Sequence, residues 1–125
     1  MNVVDSSGWI EYFVDGANAR FFSPAIEDAP QLLVPSISVF EVYRHVLRER
    51  GADDALRAAA ALRTGQQIEL DADLALTAAE VALEHRLPMA DAIIYATAQM
   101  HGAVVWTQDS DFKGLEGVKY RAKRH

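Results

Sequence analysis

Acidic side chains recur in this sequence where a predicted strand ends. Asp109 and Asp111 follow the β-prone run Val104-Val105-Trp106, and Asp5 follows a short predicted strand that begins at Asn2. In an open parallel sheet the carboxyl ends of the strands border the crevice in which ligands bind. We therefore expect these carboxylates to face one crevice. Asp is also a favoured N-cap, so helix capping is the alternative role for each of them.

Asp91 lies in the most apolar of the predicted helices. Its neighbours include Met89, Ala92, Ile93 and Ile94. An ionised carboxylate is costly in such surroundings unless it is paired, hydrogen-bonded or bound to a metal. The alternative is a structural acid in the first helical turn, where the helix dipole favours negative charge.

Glu41 has the more ordinary surroundings of the four acids. It lies three residues after Ser38 in the Ser-x-x-Glu pattern of a capping box, which predicts that Ser38 begins a helix. Arg44 and His45 follow at the spacing of helical ion pairs. These features favour a structural role for Glu41 when it is considered alone.

Several carboxylates in one crevice repel one another and require a cation. The sequence has no cysteine, and no two of its four histidines have zinc-ligand spacing. Hard oxygen ligands select Mg²⁺ or Mn²⁺, and a carboxylate-held Mg²⁺ is typical of phosphoryl transfer. The sequence therefore predicts metal-dependent chemistry at a phosphate.

Short apolar runs alternate with helical patterns, which indicates βαβ units and a parallel sheet covered on both faces. The 125 residues, half of them hydrophobic, are expected to form one domain, 1–125, with an α/β fold and a parallel sheet of four to five short strands. We predict strands at 2–5, 32–35, 67–70, from 104, and at 118–121. We predict helices at 6–13, about 38–50, 53–63 with Asp53 as its cap, after Asp71, and about 88–101. Pro24 leaves the preceding segment undecided between one broken helix and two turns.

The charge and the apolar pattern exclude some classes of protein. A formal net charge of −6 argues against binding a polyanion through bulk charge. Lys119, Arg121, Lys123 and Arg124 nevertheless crowd the end of the chain, either as a local basic patch or as a solvated terminus. No apolar run has membrane-spanning length and no signal segment is evident, so we expect a cytoplasmic protein without membrane contact.

Four segments of the chain carry a combined pattern. In order, they are Val3-Val4-Asp5-Ser6-Ser7, Pro35-Ser36 followed by Glu41, Leu87-Pro88-Met89-Ala90-Asp91-Ala92, and Thr107-Gln108-Asp109-Ser110-Asp111-Phe112. Together they resemble the corresponding segments of PIN domains, in particular the VapC toxins of prokaryotic toxin–antitoxin pairs.

The resemblance implies an α/β/α sandwich and an endoribonuclease dependent on Mg²⁺ or Mn²⁺, in which metal-activated water hydrolyses an RNA phosphodiester. It implies a catalytic quartet of Asp5, Glu41, Asp91 and Asp109, of which Asp5, Asp91 and Asp109 hold the metal. Thr107 is expected as a supporting hydroxyl and Asp111 as an auxiliary acid.

The same resemblance implies two kinds of protein partner. One is a small antitoxin of the VapB type that blocks the acidic site with a basic side chain and fills apolar grooves between helices. The other is a second copy of the chain, in a homodimer.

Two alternatives come from other classes of protein. One is a receiver-like domain that is phosphorylated on an aspartate, but the lysine that such domains place after a late strand has no convincing counterpart in this sequence. The other is a noncatalytic α/β interaction module whose acids are all helix caps.

Overall fold

A parallel five-stranded sheet forms the centre of the protein in a computed structural model that describes residues 1–124. The strands are β1 (Asn2–Val4), β2 (Leu32–Pro35), β3 (Gln66–Ile68), β4 (Val104–Thr107) and β5 (Val118–Tyr120). Their order in the sheet is β3-β2-β1-β4-β5: β2 and β3 lie on one side of β1, and β4 and β5 lie on the other. The predicted α/β class and parallel sheet are confirmed, with the fifth strand present.

Helices cover both faces of the sheet. Alternate residues of β1 enter different cores, because successive side chains of a strand point to opposite faces: Val3 packs with Ile94, and Val4 packs with Trp9 and Val42. None of the helices within residues 1–124 combines the length and the apolar character needed to cross a bilayer. The helices are α1 (Ser6–Phe13), α2 (Ala19–Ile26), α3 (Ser36–Arg50), α4 (Ala52–Leu62), α5 (Ala72–His85) and α6 (Met89–Met100), with short 3₁₀ turns at Ala29–Gln31 and Ser110–Phe112.

The segment around Pro24 is one helix rather than two turns. Pro24 lies inside α2 and cannot donate a hydrogen bond to the carbonyl of Arg20, four residues earlier. The hydroxyl of Ser23 donates to that carbonyl instead, at 3.3 Å. A neighbouring side chain thus replaces part of the interaction that proline removes.

Two predicted helix caps are wrong. α3 begins at Ser36 directly after Pro35, so Ser38 is already helical, and its buried hydroxyl has no partner among the described residues. The capping box of Ser38 and Glu41 therefore does not form. In α4 the N-cap is Gly51, and Asp53 lies in the first turn. The helix predicted after Asp71 is confirmed as α5, and Asp71 is its N-cap: the Leu74 amide donates to the Asp71 carboxylate at 2.9 Å.

Candidate active site

A cleft of about 330 Å³ lies at the carboxyl edge of the sheet, where the strand order reverses between β1 and β4. Asp5 directly follows β1, Asp109 lies two residues after the end of β4, and Asp91 lies in the first turn of α6. Helix α3 contributes one wall. The residues that line the cleft are Asp5, Ser6, Ser7, Ile10, Phe40, Glu41, Arg44, His45, Arg48, Asp91 and Asp109.

Asp5 is buried in the cleft, only 2% exposed, and is fixed there by three donors. The Gly8 amide donates to Oδ1 at 2.9 Å, and the Thr107 hydroxyl donates to Oδ2 at 2.9 Å. The Ser7 hydroxyl lies 2.8 Å from Oδ2 and 3.0 Å from Oδ1. A carboxylate has about four acceptor positions, so at least one remains for a ligand in the cleft. The bond from Gly8 also makes Asp5 the N-cap of α1, so capping and a place in the site are compatible.

Gly8 allows the start of α1 to approach the sheet closely enough to hold Asp5. A Cβ atom at this position would lie 2.6 Å from Cε1 of Phe22 and 2.7 Å from Cγ1 of Val4. Both neighbours are fully buried and cannot easily move aside. The first turn of α1 therefore requires glycine at the residue whose amide binds Asp5.

Asp91, Asp109 and Asp111 form a second acidic group beside Asp5. Each of the three residues offers a carboxylate oxygen, and these oxygens all lie within 4.8 Å of one another. We call these residues, together with Asp5, the acidic cluster. Their proximity and hard oxygen donors fit a divalent cation such as Mg²⁺ or Mn²⁺.

The protonation of the acidic cluster reflects both burial and mutual repulsion. Burial raises the pKa of Asp91 from 3.8 to about 8, with further contributions from the charges of Asp109 and Asp5 and a hydrogen bond with Asp109. Burial also raises the pKa of Asp5 from 3.8 to about 6, although the bonds from Ser7, Gly8 and Thr107 oppose this rise. Without a cation, Asp91 therefore favours its protonated form at neutral pH. A bound cation would take the place of that proton.

Thr107 connects the two strand ends that supply the acidic cluster. Its hydroxyl donates to Asp5 and accepts a bond from the Asp109 amide, each at 2.9 Å. Asp109 in turn accepts a bond from the Asp111 amide at 2.9 Å, as the cap of the 3₁₀ turn. One buried hydroxyl thus sets the position of the β4 loop relative to Asp5.

Glu41 lies in the cleft with a partner that is distant in sequence. Its Oε1 atom accepts a bond from the hydroxyl of Ser6 at 2.7 Å, across a separation of 35 residues. This contact replaces the predicted bond with Ser38. It fixes the Glu41 carboxylate beside the start of α1 rather than at the start of α3.

The structure brings Asp5, Glu41, Asp91 and Asp109 to one cleft, with Thr107 bonded to Asp5 and Asp111 beside Asp109. Sequence reasoning assigned no role to Ser6 and Ser7, whose hydroxyls hold Glu41 and Asp5. Their position directly after the acid at the end of β1 was the available signal. Tyr95, one turn after Asp91 on α6, belongs to the core: it is 2% exposed, and its hydroxyl donates to the Glu116 carbonyl at 2.6 Å.

The model of the PIN domain family matches residues 3–118, and the chain belongs to this family. The predicted resemblance is thereby confirmed over nearly the whole chain. No curated protein matches the sequence.

Three solved structures illustrate the similarity. A toxin–antitoxin complex from Klebsiella pneumoniae has 28% identity and a TM-score of 0.81, with 95% of this chain and 96% of that chain covered. VapC20 from Mycobacterium tuberculosis, described as a sarcin–ricin loop cleaving toxin, has 22% identity and a TM-score of 0.78, with coverage of 94% and 97%. The DNA-bound VapBC of Salmonella typhimurium has 14% identity and a TM-score of 0.73, with coverage of 97% and 96%. For VapC20 and for the VapBC of Salmonella typhimurium, which have 22% and 14% identity, the similarity shows a shared fold.

Proposed function

We propose that the protein is a metal-dependent endoribonuclease that acts as the toxin of a type II toxin–antitoxin pair. The observation that supports this most directly is the acidic cluster at the switch point of a PIN fold, with three carboxylates within 4.8 Å of one another. The similarity to toxins of known structure supports the biological role. A role in cutting cellular RNA also favours the cytoplasm as its location.

Asp5, Asp91 and Asp109 would hold Mg²⁺ or Mn²⁺, with Asp111 as an auxiliary ligand. The cation would offset charge on the phosphate and lower the pKa of a water molecule. Gly8, Ser7 and Thr107 fix the Asp5 carboxylate at the cleft, so its position does not depend on a bound cation. Capping needs only the bond from Gly8, so the further bonds from Ser7 and Thr107 favour a site role for Asp5 over a module whose acids are all helix caps.

The remaining acid acts on the attacking water. Glu41 is held by Ser6 at 2.7 Å on the α3 side of the cleft. In this position it orients a water molecule and accepts its proton as the oxygen attacks phosphorus. The bond from phosphorus to the leaving ribose oxygen breaks, that oxygen leaves as a hydroxyl with a proton taken up from solvent, and Glu41 returns its own proton to solvent. The reaction forms no covalent enzyme intermediate.

We expect the purified protein to cleave single-stranded RNA in buffer with Mg²⁺ or Mn²⁺ and to leave it intact in chelator. The reason is that, without a cation, nothing at the acidic cluster offsets the developing charge on the phosphate or activates the attacking water. End-labelled RNA on denaturing gels measures both rates. Adding excess Mn²⁺ back after chelation should restore cleavage, and equal cleavage in chelator would contradict the proposal.

A small antitoxin is the partner that the surface favours. An apolar groove of about 410 Å³ lies between α5 and α6, and Met89 at its edge is 72% exposed. We propose that the antitoxin places apolar side chains in this groove and a basic side chain in the acidic cleft. The groove is lined by Leu70, Ala75, Ala78, Ala79, Ala82, Met89, Ala92 and Ile93.

The product of a small reading frame adjacent to the gene should co-purify with the protein and inhibit RNA cleavage. Met89→Glu should weaken this complex at least about tenfold, because it places a charge in an apolar interface. Leu56→Glu is the matched control, since Leu56 is 61% exposed on α4, away from the groove. Titration calorimetry of both variants measures the difference. A complex that tolerates Met89→Glu as well as Leu56→Glu would contradict the assigned surface.

We also propose that the protein forms a homodimer. Exposed apolar side chains outside the groove, including Leu76 at 67% and Leu83 at 86%, provide surface that a second copy would cover. Sedimentation should give twice the chain mass of 13.8 kDa. A monomer at high concentration would contradict the proposed dimer.

A further inference from the structure

Helix α3 presents three side chains along the wall of the acidic cleft that the reaction at the acids does not use. Phe40, Arg44 and Arg48 are exposed, and each lines the cleft. They follow one another at intervals of four residues, so they form a row on one helix face with a rise of about 6 Å between neighbours. We call this row the α3 rim. It combines two cations and an aromatic ring beside a site that is otherwise acidic.

Intramolecular contacts do not account for the two arginines. Within residues 1–124, Arg44 forms no ion pair, and it lies too far from the end of α3 for the helix dipole to favour it. Arg48 lies in the last turn of α3, where the helix dipole favours a cation, but its only ion pair within residues 1–124 is with the adjacent Glu49, at 3.0 Å, and both side chains are more than half exposed. Such exposed pairs contribute little to stability. Both guanidinium groups are therefore available to an anionic ligand in the cleft.

Phe40 is an aromatic side chain placed largely in solvent, at 60% exposure. Because it lies one turn before Arg44 on the same face, a chain whose phosphate binds Arg44 would have a base within reach of the ring. An exposed ring next to cations is the arrangement that proteins use to stack unpaired bases while holding the backbone. Paired bases inside a duplex could not reach it.

The other side of the acidic cluster has a cation as well. A groove of about 450 Å³ adjoins the cleft, and the two share Ser7 and Asp109 in their linings. Lys123 lines this groove. The amine of Lys119 instead lies 4.4 Å from the centre of the Trp106 ring, on the sheet. Lys123 is therefore the better placed of these two lysines to bind a ligand in the groove.

We infer that a single RNA strand crosses the acidic cluster between two anchors, with its phosphates on Arg44 and Arg48 on one side and on Lys123 on the other, and with an unpaired base on Phe40. The inference rests on the proposed function for the identity of the polymer, and it adds the residues that bind the strand on either side of the acidic cluster. The negative net charge of the chain is compatible with it, because the attraction is local.

Binding of a fluorescein-labelled, mixed-sequence RNA strand, followed by anisotropy in chelator so that it stays uncut, tests the two anchors. Arg44→Ala and Arg48→Ala should each weaken binding about tenfold, because each removes a charge-assisted bond to phosphate. Each should also reduce the slope of log Kd against log salt by about 0.7. Arg63→Ala is the matched control: it removes the same charge at the amino edge of the sheet, three residues before β3 begins.

The opposite anchor and the ring have their own controls. Lys123→Ala should weaken binding and reduce the salt slope, whereas Lys119→Ala, which removes the same charge from β5, should leave both unchanged.

Phe40→Ala should weaken binding of the single strand about tenfold but leave binding of the annealed duplex unchanged. Leu56→Ala, at a residue of equal exposure on α4, should change neither. Thermal melts confirm that each variant is folded.

The outcomes separate this inference from the proposed function. If the parent cuts RNA with Mn²⁺ while the rim variants bind RNA as tightly as Arg63→Ala, the inference fails and the proposed function stands. If the rim variants lose binding but the parent cuts no RNA with any metal, the binding surface stands and the nuclease proposal fails. Duplex bound as tightly as single strand, with the same dependence on Phe40, would overturn the assignment of an unpaired base to the Phe40 ring.

Discussion

Asp5→Asn and Asp91→Asn should each lower the rate of RNA cleavage by at least about 100-fold while the protein stays folded. Each substitution removes the negative charge of a proposed metal ligand but keeps the size of the side chain. Metal catalysis contributes several kcal/mol, and each 1.36 kcal/mol is about tenfold in rate. Single-turnover cleavage of labelled RNA with saturating Mn²⁺ measures the loss.

The fold should persist in both variants. Asparagine is as good an N-cap as aspartate, so in Asp5→Asn the side-chain amide oxygen can still accept the bond from the Gly8 backbone. The matched control is Asp73→Asn, which makes the same change in the first turn of α5, where the side chain is exposed and outside the acidic cluster. Glu41→Gln should retain part of the activity, because Ser6 can still hold the side chain. A well-folded Asp5→Asn or Asp91→Asn variant that cuts RNA as fast as Asp73→Asn would show that the site is wrongly assigned.

Local sequence patterns were sufficient to predict most elements and the main acids. Asp5 and Asp109 follow apolar β-prone runs, and parallel strands bring such ends together. Asp91 was identifiable because an acid among apolar residues needs a specific reason to be there. In each of these cases the signal lies within a few residues of the acid.

The prediction from sequence was wrong where a distant contact replaces a local one. The Ser-x-x-Glu pattern predicted a bond between Ser38 and Glu41, but the partner of Glu41 is Ser6, from another element. No local pattern reveals a contact across 35 residues. For the same reason the α3 rim was not predicted, because a helix face becomes the wall of a cleft only once α3 packs beside α1.

The second large effect concerns stability without metal. Carboxylate oxygens of Asp91, Asp109 and Asp111 lie within 4.8 Å of one another, and two unit charges at that distance repel by about 3 kcal/mol at an effective dielectric near 20. Solvent and proton uptake relieve part of this repulsion. The acidic cluster should therefore destabilise the metal-free fold, in contrast to acids that serve only as helix caps.

The direction of the pH dependence follows from the raised pKa values. The pKa is about 6 for Asp5 and about 8 for Asp91 in the folded protein, against 3.8 for an unperturbed aspartate. Between these values the native state binds more protons than the unfolded state. The free energy of unfolding should therefore fall as the pH rises from about 4 to about 8 in chelator. Thermal melts across this range measure the fall, and a stability that rises with pH throughout would contradict it.

Asp91→Asn should be at least as stable as the parent in chelator at pH 8, and its stability should depend less on pH, because one of the repelling charges is gone. Mn²⁺ at about 100 times its Kd should stabilise the parent by about 2.7 kcal/mol, and the variant by much less. The capping alternative predicts the reverse in chelator, since a first-turn acid stabilises its helix by about 0.3–1 kcal/mol. The loss of stability in Asp73→Asn measures this contribution of a first-turn acid in the same protein. If Asp91→Asn melts below the parent in chelator by as much as Asp73→Asn does, and Mn²⁺ leaves the parent unchanged, then Asp91 is a helix acid and not part of a metal site.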